Sequence, residues 1–64
     1  NMEVSFIEYL NNYRLTMASR LLLSSTSSII AIAMESGFDN LSYFNRLFKK
    51  KYEMTPSEFR RRYT

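Results

Sequence analysis

Between Ser28 and Phe48 the chain reads SIIAIAMESGFDNLSYFNRLF, and these 21 residues decide the fold. Ser28 is of the type that caps a helix start, and Ile29, Ile32 and Ala33 behind it share one helical face, so a short helix is predicted over Ile29 to Ser36. Gly37 ends it. Glycine takes the left-handed conformation after a helix without a steric penalty, and Phe38 can fold back as an apolar anchor. Asp39 or Asn40 then caps a further helix running to about Tyr52. Its apolar positions Leu41, Phe44, Leu47, Phe48 and Tyr52 follow the 3.6-residue period and leave Ser42, Asn45, Arg46, Lys49 and Lys50 outside.

Upstream, Ser5 to Leu23 reads as one long helix. Phe6, Leu10, Tyr13, Met17 and Leu21 recur at steps of 4, 3, 4 and 4, and Ser5-x-x-Glu8 has the form of a capping box. Arg14, Ala18 and Leu22 form a neighbouring stripe, so this helix needs partners on more than one side. The run SSTSS, Ser24 to Ser28, holds no apolar residue and forms a short connection. Downstream, Thr55-Pro56-Ser57-Glu58 combines a capping box with proline at the first helical position, which predicts a fourth helix carrying Phe59 and Tyr63 inward. No segment alternates with period two, so the fold class is all-α.

Composition narrows the chemistry. The 64 residues contain neither Cys nor His, which removes thiol nucleophiles, disulfides, Cys/His metal sites and the usual general base. With one Gly there is no phosphate-cradling loop, and the six carboxylates do not converge as a pair, so neither an enzyme nor a cofactor or metal site is expected. The longest apolar run, Ile29 to Met34, is far shorter than the roughly 20 residues of a membrane span, and no signal-peptide pattern opens the chain. The net charge of +3 is uneven: residues 1 to 40 carry two Arg against four carboxylates, whereas residues 41 to 64 carry seven basic residues against Glu53 and Glu58. A basic end on a small non-enzymatic chain points to nucleic acid, an anionic surface or an acidic partner.

Sliding the sequence by fifty positions lays EVSFIEYLNNY, Glu3 to Tyr13, on EMTPSEFRRRY, Glu53 to Tyr63. Glu3/Glu53, Glu8/Glu58 and Tyr13/Tyr63 are identical, and both copies carry a capping-box pattern. The echo reads as a tandem duplication of which the chain shows the end of one unit and all of the next, so the polypeptide is expected to be a fragment.

Two short helices joined by a glycine turn form a helix-turn-helix, whose second helix enters the major groove of DNA. Ile29 to Phe48 has the parts: small Ala33 for a close crossing, Gly37 in the turn, and Ile32, Phe38, Phe44 and Phe48 beneath. Ser42, Asn45 and Arg46 are residue types that hydrogen-bond base edges, and Lys49 and Lys50 suit phosphates. The rival readings are a helical protein-interaction module using the apolar faces of Ser5 to Leu23, and an amphipathic membrane-surface helix, against which the buried-type aromatics count.

From Arg14 onward, and most specifically across Ser28-Ile29, Ile32-Ala33, Gly37-Phe38, Ser42-Tyr43-Phe44, Phe48-Lys49-Lys50 and Thr55-Pro56-x-x-Phe59-Arg60, the chain resembles the DNA-binding region of AraC/XylS-type bacterial transcription regulators. The resemblance implies a homeodomain-like helix-turn-helix module of three helices preceded by a long linker helix. Residues 1–4 would close a truncated first module, 5–23 form the linker helix and 24–64 the second module. Carried over by position, Asn40, Leu41, Ser42, Asn45 and Arg46 fall where bases and nearby backbone are met, and Lys49 and Lys50 where phosphate is met. By the same resemblance, the helix start at Ser28 would also approach a phosphate. The implied partners are double-stranded DNA, an upstream first module and a separate sensory domain, in a bacterial cytoplasm; the fragment alone is expected to self-associate through its exposed apolar face. Three positions depart from the family pattern: Glu53 replaces the usual Gly, implying a different cap on the third helix; Ala31 replaces a common Glu; and Leu41 implies contact with a thymine methyl or a purely structural role.

Overall fold

Each helix after the first opens on a side-chain cap that the sequence names. In the computed structural model, which describes residues 2–64, the elements are α1 (Met2–Ser24), α2 (Ile29–Glu35), α3 (Leu41–Tyr52) and α4 (Pro56–Tyr63). Ser28 is extended at φ −66°, ψ 159°, and its Oγ accepts from the Ala31 N–H at 3.1 Å. Asn40, rather than Asp39, caps α3, its Oδ1 accepting from the Tyr43 N–H at 2.9 Å. At α4 the box closes in both directions: the Glu58 N–H donates to Thr55 Oγ1 at 3.2 Å and the Thr55 N–H to Glu58 Oε1 at 3.0 Å. Such caps satisfy amides that a helix start leaves without a partner, each worth about 1 kcal/mol.

The turn after α2 closes on glycine. Gly37 has φ 98°; its N–H donates to the Met34 carbonyl at 3.0 Å, and the Phe38 N–H reaches back to the Ala33 carbonyl at 2.9 Å. That pair of bonds is a Schellman motif, and it delivers Phe38 into the core. The end of α3 uses the same left-handed geometry with a different residue: Glu53 sits at φ 61°, ψ 22°, its N–H donating to the Lys49 carbonyl at 2.8 Å. The departure from glycine at this position therefore changes the cost of the cap, not its shape.

Helix α1 corrects two expectations. It begins by Met2, so Ser5 lies inside the helix and does not cap it. A cap requires extended backbone at the capping residue, and nothing in Met2-Glu3-Val4 or at Phe6 forces Ser5 out of the helical conformation. Asn1, part of the expected end of a first module, lies outside the described residues. The face that meets the core is the stripe of Leu15, Ala18 and Leu22, whereas Phe6 and Tyr13 of the longer apolar series are exposed.

The core joins that stripe to Ile32 and Ala33 of α2, Phe38 of the turn, Phe44 and Phe48 of α3 and Phe59 of α4. The aromatic rings run in sequence, Phe38 to Phe44 at 5.2 Å between centroids, Phe44 to Phe48 at 5.7 Å, and Phe48 edge-on to Phe59 at 5.4 Å and 84°. Each fully buried ring contributes about 1.5 to 3 kcal/mol through burial, plus about 1 kcal/mol per pair for its tilted packing. Tyr63, expected inward, is exposed and rests against Phe59 at 4.9 Å.

Two cations fasten α1 to this module. Arg60 donates from Nε to the Leu22 carbonyl at 3.0 Å and from Nη2 to the Ser25 carbonyl at 3.1 Å. It thereby takes up carbonyls at the end of a helix whose own last turn has no basic residue. Lys51 Nζ donates to the Asn12 carbonyl at 3.2 Å and to Thr16 Oγ1 at 3.1 Å, tying the end of α3 to the middle of α1.

Candidate nucleic-acid interface

Helix α3 has two chemically opposite sides. Phe44 and Phe48, one turn apart, are fully buried and hold it to the core. Ser42, Asn45, Arg46 and Lys49, at steps of 3, 1 and 3, fall on one outward face, because residues three and four apart on a helix are neighbours. Ser42, Arg46, Lys49 and Lys50 are exposed and Asn45 is half-buried. Leu41, at the helix start, is 37% exposed. From Ser42 to Lys49 the face extends about 10 Å, at 1.5 Å per residue.

The two capping residues among the expected site positions are differently placed. Ser28 and Asn40 are exposed, but the side-chain oxygen of each already accepts a backbone N–H of its own helix. Asn40 keeps its Nδ2 donors for another partner, whereas Ser28 keeps its hydroxyl proton. Gly37, in the turn between α2 and α3, lies beneath Arg14: a Cβ there would stand 2.8 Å from Arg14 Nε. The turn is thus packed against α1 as well as closed by its own hydrogen bonds.

The charge on and around the face is sorted by contacts. Lys49, Lys50 and Lys51 occupy the last turn of α3, where cations complement the helix dipole. Lys51 is drawn away to α1 by its two hydrogen bonds, leaving Lys49 and Lys50 at the end of the outward face. Thr55, first through its backbone N–H and then through its hydroxyl, holds the Glu58 carboxyl below its ordinary range, with Lys49 and Arg61 adding smaller attractions. Of the arginine run at the C-terminal end, Arg60 is committed to α1, while Arg61 and Arg62 are exposed, Arg62 lying 5.9 Å from the Tyr63 ring centroid.

Tyr43 sits at the margin of the core, 36% exposed, its ring tilted against Phe38 and its hydroxyl accepting from Asn11 Nδ2 at 3.0 Å. Arg46 places its guanidinium carbon 5.5 Å from the centroid of that ring. The 3-residue spacing of Tyr43 and Arg46 was legible as a helical neighbour pair; the bond to Asn11, 32 positions upstream, was not.

Among the described residues no helix is long and apolar enough to cross a membrane, and no group of three carboxylates could hold a metal ion. What the fold does define is a helix-turn-helix: α2 and α3 joined by a glycine turn, with α3 carrying a polar, basic outward face. A family of helix-turn-helix domains matches residues 1–62. The chain belongs to the AraC-type helix-turn-helix family of transcription regulators. It is 43% identical over 94% of its length to an uncharacterized HTH-type transcriptional regulator, YijO, of Escherichia coli K12, and 42% identical over 89% to the transcriptional activator RhrA of Rhizobium meliloti. It is also 44% identical over 89% of its length to a urease operon transcriptional activator of Escherichia coli. These matches cover 21%, 19% and 19% of the respective relatives, so the chain spans about a fifth of their length. No solved structure matches the chain significantly.

Proposed function

We propose that the chain is a sequence-reading DNA-binding module of a bacterial transcription regulator, with α3 lying in the major groove. The observation that carries this reading is the grouping of Ser42, Asn45, Arg46 and Lys49 on one outward face of α3, with Phe44 and Phe48 buried on another and the helix fixed to its neighbour by a closed glycine turn. Membership of a family of transcription regulators supports it. Arg46 reads a base, the guanidinium fork matching guanine O6 and N7, and Asn45 and Ser42 read or flank its neighbours. Leu41 meets a thymine methyl. Lys49 and Lys50 neutralise phosphates, Asn40 contacts nearby backbone through its Nδ2 donors, and the α2 start at Ser28 faces a phosphate.

In the complete regulator, a first helix-turn-helix module ends before residue 5, residues 5–23 of α1 serve as the linker helix and residues 24–64 form the second module, with sensing done by a separate domain in the bacterial cytoplasm. The fifty-residue echo supports the first module. The exposure of Val4, Phe6, Ile7, Tyr9 and Tyr13 favours a protein contact along that half of α1 in addition to DNA binding by α3. Selection of bound duplexes from a random pool tests the central reading. Enrichment of a defined motif, lost when the pool is single-stranded, is the expected result. No enrichment, with equal retention of single strands, would leave only a protein-interaction role.

A further inference from the structure

Tyr43 stands between the core and the outward face of α3, and it is restrained on three sides. Its N–H donates to Asn40 Oδ1 at 2.9 Å, which fixes its backbone in the first helical turn. Its ring leans on Phe38, centroids 6.3 Å apart and planes at 60°. Its hydroxyl accepts from Asn11 Nδ2 at 3.0 Å, a bond that reaches across to α1. Over the ring, one turn further along α3, lies the guanidinium of Arg46, its carbon 5.5 Å from the centroid. A free arginine side chain samples many rotamers and must surrender them to meet a base edge in one geometry. A cation held over an aromatic face has surrendered part of that freedom beforehand.

We infer that Tyr43 is a positioning residue for Arg46, and that Asn11, on α1, sets the ring of Tyr43 and through it the discrimination at the base pair Arg46 reads. This rests on the reading of Arg46 as a base contact. It gives α1 a share in sequence choice without any contact of its own with DNA. Tyr43 and Asn11 should then matter at one base pair of the site and at no other.

The test uses the full-length polypeptide carrying these residues, with two readouts. One is the proton shifts of the Arg46 side chain without DNA, which a ring underneath moves upfield. The other is equilibrium binding to the selected duplex and to its single-base-pair variants. Arg46→Ala should lose about tenfold or more in discrimination at one base pair, the scale of a good bidentate contact. Tyr43→Leu should abolish the upfield shift and lose about two- to fivefold at that same pair, the strength of an exposed cation–π contact. Tyr43→Phe should keep the shift in large part, and Asn11→Ala, which frees the ring, should reduce it; both should lose less discrimination than Tyr43→Leu. In an Arg46→Ala background, Tyr43→Leu should change discrimination no further.

Should Tyr43→Leu fail to fold, Tyr43→Phe and Asn11→Ala carry the test through the shift and the discrimination together. Loss of the shift with discrimination intact, while Arg46→Ala still loses it, would overturn the positioning role and leave the base-reading role standing. An Arg46→Ala variant with unchanged discrimination would overturn the base-reading role itself. Uniform weakening on every duplex by the Tyr43 variants would make Tyr43 a direct backbone contact or a structural residue, and the inference would fall.

Discussion

Glu3 to Tyr13 and Glu53 to Tyr63 share a sequence pattern, yet the chain folds them differently. In the second copy Glu53 turns left-handed, Thr55 is extended and capped, and Phe59 is 9% exposed in the core. In the first copy Ser5 is helical, and Tyr9, the counterpart of Phe59, is 70% exposed. One cause is local: Pro56 excludes helical backbone at Thr55, since the residue before proline is pushed to extended conformations, while Phe6 imposes nothing on Ser5. The other is tertiary. Residues 53–63 have the module of α2 and α3 to pack upon, whereas Val4, Phe6, Ile7 and Tyr9 stay exposed along their half of α1. A pattern of caps and apolar spacing specifies a helix start only where the chain before it is made to leave the helix.

The contrast should be largest in packing. Phe59→Ala should cost about 3 kcal/mol in denaturant unfolding of the chain, the lower end for a buried phenylalanine, while Tyr9→Ala should change stability by less than about 0.5 kcal/mol. Equal losses would mean that Tyr9 is buried in solution by another contact, for instance against a second copy of the chain.

Caps come next. Thr55→Ala should cost about 1 kcal/mol, because the Glu58 amide loses its acceptor, whereas Ser5→Ala should be neutral or slightly stabilising, alanine being the better residue within a helix. A comparable loss at Ser5 in the same thermal melts would show that the first box does form. A smaller change of opposite sign is expected at Glu53→Gly. The left-handed backbone at φ 61° costs a residue with a side chain about 1 to 2 kcal/mol, and glycine gives part of that back through its larger unfolded-state entropy, leaving a gain of about 0.5 to 1 kcal/mol.

The smallest effect is a pH dependence. The carboxyl of Glu58 is held below its ordinary range by the N–H and hydroxyl of Thr55, so in the folded state it binds its proton more weakly than in the unfolded chain. Its contribution is complete at pH above the ordinary carboxylate range and is lost as pH falls towards the lowered folded value. Glu58→Gln should therefore make the acid side of a stability-against-pH curve less steep. An unchanged slope would contradict the capping box as the source of the shift.

Much of this architecture was legible in the sequence, and what was not shares a physical origin. Ser28, Asn40 and Thr55 act over three residues, so their caps could be read locally, as could Gly37 and the inward series of Phe44 and Phe48. The choice between the two apolar faces of α1 was not readable, because periodicity reveals that faces exist and only the partner decides which is covered. Arg14 over Gly37, Arg60 on the end of α1, Lys51 on Asn12 and Thr16, and Asn11 on Tyr43 all join residues more than twenty positions apart through long or polar side chains. No spacing rule announces such contacts. The outward residues of α3 were readable as a face, and their separate roles are what the proposed function assigns.

The most direct test of that assignment compares Arg46→Ala with Lys49→Ala in DNA titrations over a range of salt, on a preferred duplex and on unrelated ones. Arg46→Ala should cost about 1 to 3 kcal/mol on the preferred duplex and relax specificity at one base pair. Lys49→Ala should weaken every duplex alike and reduce the salt slope by about 1. If both variants instead lose affinity uniformly, with no base pair singled out, α3 does not read DNA through Arg46.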